Sequence, residues 1–347
     1  MNEMGCVVGV MKKIGVLGHF GFGKTLLNGQ TIKTKNVTQA LEEVFGESQV
    51  IKRDTHGGVS SLFLVPFQII ELLNKCENII IFPAQNGVRV IVPLLVLFNT
   101  FFQRKLHYVV IGGWLPSLCK SSSILIKLLN QLDVIYVETL TMKRSLEGLD
   151  FKNVEVMHNF KNIKPLEVPI SINNNPHLLC TFSRVMKEKG IEDAIKIVDK
   201  LNSSSTQYEL HIYGQIEPSQ MQWFEKLKSQ FPDYVSYCGL IPYDQSVDVL
   251  KQYDVLLFPT SYDGEGFAGT LLDSMAAGVP IVASNWKYNN EIVNNNSGIL
   301  VEVGNIEMYC NAVNNLINNY DMRCSALSEA QKYLPRNAIS PLLSNLT

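Results

Sequence analysis

What the 347-residue chain lacks sets the first limits. It carries no excess of charge: 30 Lys and Arg against 32 Asp and Glu leave a formal net charge of −2, so no global field draws it onto nucleic acid. It has no spaced cysteine pairs. Seven cysteines lie scattered at 6, 76, 119, 180, 238, 310 and 324 without a Cys-x-x-Cys, the usage of reduced thiols in a cytoplasmic protein rather than of a disulfide frame or a zinc site. No internal repeat is apparent. The opening "MNEMGCVVGVMKK" is too short and too weakly apolar for a signal peptide; Met11 begins a more natural first strand, and residues 1–10 read as an upstream start or a disordered arm. The longest apolar run, "VIVPLLVLF" at 90–98, has nine residues, where a spanning helix needs about 20. Phe101 and Phe102 follow it beside Arg104 and Lys105, a pattern of either a helix packed on a sheet or a contact with a membrane surface.

What is present is ordinary globular composition, 46% hydrophobic and 18% charged, with room for two domains. Short, nearly continuous apolar runs recur: "IGVLG" (14–18), "NIIIF" (78–82), "YVVIGG" (108–113) and "VIYV" (134–137), then "HLLCTF" (177–182), "ELHIYG" (209–214), "VLLFP" (255–259) and "PIVAS" (280–284). Such runs are strands buried on both faces of a parallel sheet. Amphipathic stretches separate them; in "IEDAIKIVDKL" Ile191, Ala194, Ile195, Val198 and Leu201 share one helical face. The pattern predicts α/β architecture: two Rossmann-like, doubly wound parallel-sheet domains facing across a cleft. "KNIKPLEVPISINNNP" at 161–176, rich in Pro and Asn, reads as the linker between them. The boundaries expected are 1–165, 166–325 and a C-terminal helical segment, 326–347, that packs back on the first domain.

"GHFGFGKT", Gly18 to Thr25, matches a phosphate loop and raises a nucleotide triphosphatase or kinase as an alternative. Two features oppose it. Asn28-Gly29 would break the helix that such a loop must enter at once, and no strand ends in four apolar residues followed by an Asp able to hold magnesium. The helical pattern begins later, near Gly29–Gln30, with Ile32, Val37, Ala40, Leu41 and Val44 on one face. Gly29 there lets backbone N–H groups face an anion.

Three segments of the second half carry chemistry. "SRVMKEKGIEDAI" places Arg184 and Lys189 in a loop after a strand, two cations suited to a diphosphate or else a solvated charged loop. "SYDGEGFAGTLLDSMAAGVPIVAS" places Glu265, then Gly266, Phe267, Ala268, Gly269 and Thr270 where the chain enters a helix, with Asp273 inside that helix. Carboxylates there accept from sugar hydroxyls, and free N–H groups at 267–270 hold phosphate oxygens. Gly214 and Gly239 close two strands, either admitting a nucleotide or serving as turns; Leu240 follows the second.

These segments, together with "YCGLIPYDQ" and "NEIVNNNSGILVEVGN", resemble the donor-domain motifs of glycosyltransferase family 4, retaining enzymes of the GT-B fold. The resemblance covers about residues 178–335, and "MKKIGVLG", "NGQTIKTKNVTQAL" and "VEVMHNF" extend it more weakly into the first half. The "PTSYDGEGFAG" version is similar to transferases that build bacterial capsule, O-antigen or exopolysaccharide units. The resemblance implies a UDP- or GDP-linked sugar as donor, no metal or other cofactor, and a glycan or lipid-diphosphate-linked acceptor at the inner membrane face. It implies that Arg184 and Lys189 neutralise the diphosphate, that Glu265 contacts the donor sugar near its reacting carbon, and that residues 266–270 and Gly29 line the donor. Asp273 stands where the family usually has a ribose-binding Glu, and "YVVIGGWLPS" stands where many relatives carry a His, so no side-chain base is assigned. A non-catalytic subunit that keeps the fold is the alternative of a different class.

Overall fold

The computed structural model describes residues 13–24, 29–57, 63–162, 164–170, 174–205 and 207–346. The expected arm at 1–10, Thr25 and Asn28 of the phosphate-loop pattern, and linker residues 163 and 171–173 lie outside these. The chain divides into two compact units, one running to His158 and resuming at Ala338, the other Asn159–Asn337.

The first unit is a parallel sheet of β1 (Ile14–Gly18), β2 (Val50–Asp54), β3 (Asn78–Ile81), β4 (Lys105–Val109), β5 (Val134–Val137) and β6 (Val154–Val156), in the order β2-β1-β3-β4-β5-β6. The second unit is also parallel, with β7 (His177–Phe182), β8 (Tyr208–Tyr213), β9 (Val235–Gly239), β10 (Val255–Phe258), β11 (Ile281–Ser284) and β12 (Gly298–Val301) in the order β12-β11-β10-β7-β8-β9. In each sheet the chain starts inside and winds outward both ways, which is doubly wound α/β topology. Central strands such as β3, β5, β10 and β11 are buried throughout, as their unbroken apolar runs require. The edge strands β2 and β6 carry no such run. The fourth strand lies earlier than "YVVIGG", at Lys105–Val109, because its apolar stretch continues as the exit from the sheet.

The helix Gly29–Phe45 departs from its expected face. Val37, Ala40 and Leu41 are buried, but Val44 is exposed, and Thr31, Lys33, Thr34, Asn36 and Thr38 are buried instead. A partner explains the lysine: Lys33 Nζ lies 2.6 Å from Glu138 Oε1 just past β5, both side chains being almost fully buried. No helix among the described residues is long and apolar enough to cross a membrane.

His107 lies within β4 rather than ahead of it. Its Nε2 donates to Asn78 Oδ1 at 3.1 Å, and the Tyr136 hydroxyl donates to Nδ1 at 3.4 Å. Burial, opposed by Asp133 and aided by Lys105, pushes this imidazole down to about 4. An unfolded His titrates near about 6.5, so the unfolded chain takes up a proton that the folded one refuses. Stability present above pH ~6.5 is therefore lost as pH falls toward 4, by about 3 kcal/mol from this group. Urea midpoints at pH 7 and pH 4.5 test this: His107→Gln should lose clearly less than the parent, and equal losses would exclude the imidazole as the cause.

Candidate functional site

In the second sheet β7 and β10 are neighbours, and the chain leaves them in opposite directions. Loops leaving such a pair of strands part and open a crevice at their carboxyl ends. The loop after β7 carries Arg184 and Lys189; the loop after β10 carries Thr260 to Phe267. They are tied together first through backbone. The Ser261 N–H donates to the Glu188 carbonyl at 2.8 Å. Gly190 adopts a left-handed φ of 74°, and a Cβ there would sit 2.1 Å from the Pro259 carbonyl oxygen, so only glycine lets the loops approach.

The approach brings together two of the expected site residues. Lys189 Nζ donates to Glu265 Oε2 at 2.6 Å, with the side chains 11% and 7% exposed. The Thr260 hydroxyl donates to the same oxygen at 2.8 Å. The ammonium also lies 5.5 Å from the Phe258 ring centre and 5.1 Å from that of Tyr262. Among the described residues Glu265 Oε1 has no partner, so one carboxylate oxygen holds the cation and the other remains an acceptor. Thr260, Phe258 and Tyr262 escaped the sequence reading. "VLLFPTSYDGEG" does place a hydroxyl five residues before Glu265, but nothing in that spacing shows which way it points.

Arg184 is not gathered into this cluster. It is 52% exposed and donates to Glu217 Oε2 at 3.0 Å. An exposed pair of this kind is worth at most about 1 kcal/mol, so the guanidinium is easily recruited by a stronger anion.

The helix Gly269–Ala276 starts without a side-chain cap at Ala268. Thr270 Oγ1 is buried and has no hydrogen-bond partner. A helix start whose N–H groups lack a cap, beside an unpaired hydroxyl, is an acceptor-seeking arrangement. Gly266 and Phe267 are buried; the Phe267 carbonyl accepts from Asn159 Nδ2 at 3.1 Å and its ring meets Tyr333 edge-on. A Cβ on Gly269 would touch only Lys161, at 3.8 Å. Gly214 has its own structural reason: at φ 135° a Cβ would lie 1.7 Å from the Ser183 carbonyl oxygen. Its N–H donates to the Gly239 carbonyl at 2.8 Å. Gly239 is left-handed at φ 79° with open space before it, and Leu240 is exposed.

Asp273 is tightly paired. Its side chain is 2% exposed, and Lys161 Nζ donates to its two oxygens at 2.7 and 2.5 Å. Burial raises its pKa and Lys161 opposes the rise. Both oxygens accept from Lys161 in this arrangement, so the carboxylate is held by a partner within its own unit. Lys161, from the stretch read as linker, is the partner the sequence did not announce.

In the first unit, Gly29 opens its helix, exposed and with nothing within 4 Å of an added Cβ. The phosphate-loop pattern resolves differently. Asp54 at the end of β2 accepts from the N–H groups of Phe20 (2.9 Å), Phe22 (3.0 Å) and His56 (2.8 Å). Burial acts to raise the Asp54 pKa, but these bonds and one from Gly21 outweigh it and hold it below the ordinary value. Three N–H groups of the pattern, those of Phe20, Gly21 and Phe22, are thus turned onto a carboxylate, and that of Lys24 onto the Gly21 carbonyl. Gly18 serves close packing, since a Cβ would lie 2.6 Å from Thr34 Cγ2.

Comparison with known proteins places this geometry in context. Residues 163–333 match the family "Glycosyl transferases group 1". An uncharacterized glycosyltransferase of Methanocaldococcus jannaschii is 26% identical over 196 residues, 55% of this chain and 47% of the relative. The alpha-monoglucosyldiacylglycerol synthase of Streptococcus pneumoniae is 22% identical over 259 residues, 69% of this chain and 56% of the relative. The chain thus spans about half the length of these curated relatives. Anabaena HepE, crystallised with UDP and glucose, superposes with a TM-score of 0.73 over 96% of this chain and 99% of that one at 16% identity. The chain therefore has the GT-B fold, and its residues 163–333 match the glycosyl transferases group 1 family.

Proposed function

We propose that the protein is a retaining, metal-independent glycosyltransferase that moves a hexose from a UDP-linked donor to a glycan acceptor carried on a lipid diphosphate, at the inner membrane face, in bacterial surface polysaccharide synthesis. The observation that carries this reading is the Lys189–Glu265 pair, a cation and an acid held 2.6 Å apart where two loops meet at the β7/β10 edge. The match of residues 163–333 to group 1 glycosyltransferases supports it, and HepE with UDP and glucose suggests the base of the donor. The relative called alpha-monoglucosyldiacylglycerol synthase is consistent with a lipid acceptor.

In this reading the bond between the sugar's anomeric carbon and the diphosphate oxygen breaks, and negative charge collects on the departing group. Lys189, Arg184 and the N–H groups of Gly269 and Thr270 stabilise that charge as it develops. Glu265 accepts from a hydroxyl of the donor sugar through Oε1, while Gly214, Gly239, Leu240 and residues 266–268 line the donor. The acceptor hydroxyl bonds to the anomeric carbon on the face the diphosphate leaves, and its proton passes to the departing phosphate oxygen. That route needs no side-chain base. Asp273 serves by fixing Lys161 rather than by reaching the ribose.

Lys189→Ala should lower turnover about 100- to 1000-fold in a labelled-sugar transfer or slow donor-hydrolysis assay. Glu265→Gln should impair transfer while the thermal shift produced by UDP persists. Near-parental turnover in the first variant would remove the electrostatic role. ATP hydrolysis abolished by Lys24→Ala would instead revive the triphosphatase alternative.

The Lys161–Asp273 pair makes a separate stability prediction. Lys161→Met leaves a buried carboxylate unpaired and should cost about 3–5 kcal/mol. Adding Asp273→Asn should recover a good part of that loss. Chemical denaturation of both variants checks this, and a double variant no more stable than the single one would show that the charge is not the cause.

A further inference from the structure

The first unit carries an apolar surface that its own fold leaves uncovered. Its connections β2 to β3, β3 to β4 and β4 to β5 all step the same way across the sheet, so right-handed crossovers place their helices on one face. The helices Val65–Lys75, Val88–Phe102 and Ser123–Leu129 pack side by side there. The middle one is apolar over most of its length, with Arg89 and Thr100 the exposed polar residues on it. Ile91, Val92, Leu95 and Val96 are buried against the unit, while Val90, Leu97 and Phe101 form a stripe on the other side, Leu97 being 58% and Phe101 81% exposed. Phe67 and Ile124, at 74% and 71%, extend the surface onto the flanking helices. Large apolar side chains exposed together on neighbouring helices in this way mark an interaction site.

Charge selects what covers it. Between residues 63 and 129 the chain has six basic side chains and two acidic ones, although the whole protein is net −2. One of those acids, Glu71, is already held by Arg53 and Lys75. Arg89 and Lys127 are exposed on the same helices as the apolar stripe. We propose that this helical face docks the protein on an anionic lipid bilayer, with Phe67, Leu97, Phe101 and Ile124 entering the interface and Arg89 and Lys127 meeting headgroup charge. A second copy of the chain would set like charges against each other across the same patch. Apolar area together with surrounding cations matches a surface of lipid tails beneath anionic headgroups. The Phe101 contact expected from the sequence becomes one part of a three-helix surface, while Phe102 is only half-exposed. The inference deepens the membrane contact proposed above and rests on it.

Vesicle co-sedimentation of the full chain tests the surface. Binding should be tighter on vesicles containing phosphatidylglycerol than on pure phosphatidylcholine, and should weaken as salt rises. Phe67→Ser with Phe101→Ser should lower the partition coefficient at least tenfold. Removing Arg89 or Lys127 as Gln should lower it about fivefold each on the anionic vesicles alone. Unaltered thermal midpoints and an unaltered UDP thermal shift establish that the variants fold and keep the donor site. Equal binding to both vesicle types, or binding indifferent to the two Phe substitutions, overturns the proposal. So does a lipid-free dimer, seen by light scattering, that the Phe substitutions dissolve. Loss of UDP binding in the parent chain would instead strike the transferase reading and leave the vesicle result standing by itself.

Discussion

An ammonium group near two aromatic rings and nearly closed off from water needs a partner to offset its lost hydration. Lys189 is in that position, and Glu265 meets the requirement from 76 residues further along the chain. The demand propagates outward. Glu265 arrives only if the loop after β10 folds back on the loop after β7, and that fold-back needs Gly190 against the Pro259 carbonyl and the Ser261 bond to Glu188. The loops in turn are neighbours only because β7 and β10 pair in the centre of the sheet. Strand order and a glycine are thus successive preconditions of one ion pair. On the reading proposed above, a cation already desolvated and oriented would need little reorganisation when a diphosphate arrives.

The second unit contains two such lysine–acid pairs, and comparing them separates chemistry from architecture. Lys161 engages both oxygens of Asp273, whose side chain is sealed within its helix, so every charge in that pair has an internal partner. Glu265 concentrates two donors on one oxygen and leaves the other without a partner among the described residues. A pair that is internally complete holds elements together; one with an acceptor left over is poised for a further hydroxyl. The unpaired Thr270 hydroxyl and the uncapped helix start beside it add to the same incomplete balance. Polar groups without partners cost stability, so their accumulation at one loop is the mark of a place where something else completes the bonds.

How much of this was legible depends on whether the signal is local. Strands buried on both faces announce themselves, because an apolar run such as "VIYV" has no other soluble use. The edge strand Val50–Asp54 does not, since only one of its five residues is buried. Helix Gly29–Phe45 was legible in extent but not in facing: burying Lys33 depends on Glu138, 105 residues away, which no periodicity reveals. Lys189 and Glu265 stood out by residue type and flanking glycines. That they touch, that Arg184 turns to Glu217, and that Asp273 belongs to Lys161 are all long-range pairings, decided by competition among partners rather than by spacing.

The phosphate-loop pattern of Gly18 to Thr25 shows that competition most plainly. A chain leaving the first strand of a parallel sheet must turn sharply, and its backbone N–H groups point inward at the turn whatever the protein does. They need an anion. A nucleotide supplies one from outside; here Asp54 supplies one from the neighbouring strand, accepting from Phe20, Phe22 and His56. The glycines follow from the turn and from the approach of Thr34 to Gly18, and neither requires a phosphate. Once an internal carboxylate fills the nest, an incoming phosphate would have to displace a fixed charge of its own sign. The motif records the geometry that a tight βα turn imposes. What sits in the turn is decided by a residue some thirty positions away, and so a pattern confined to eight residues carries no information about it.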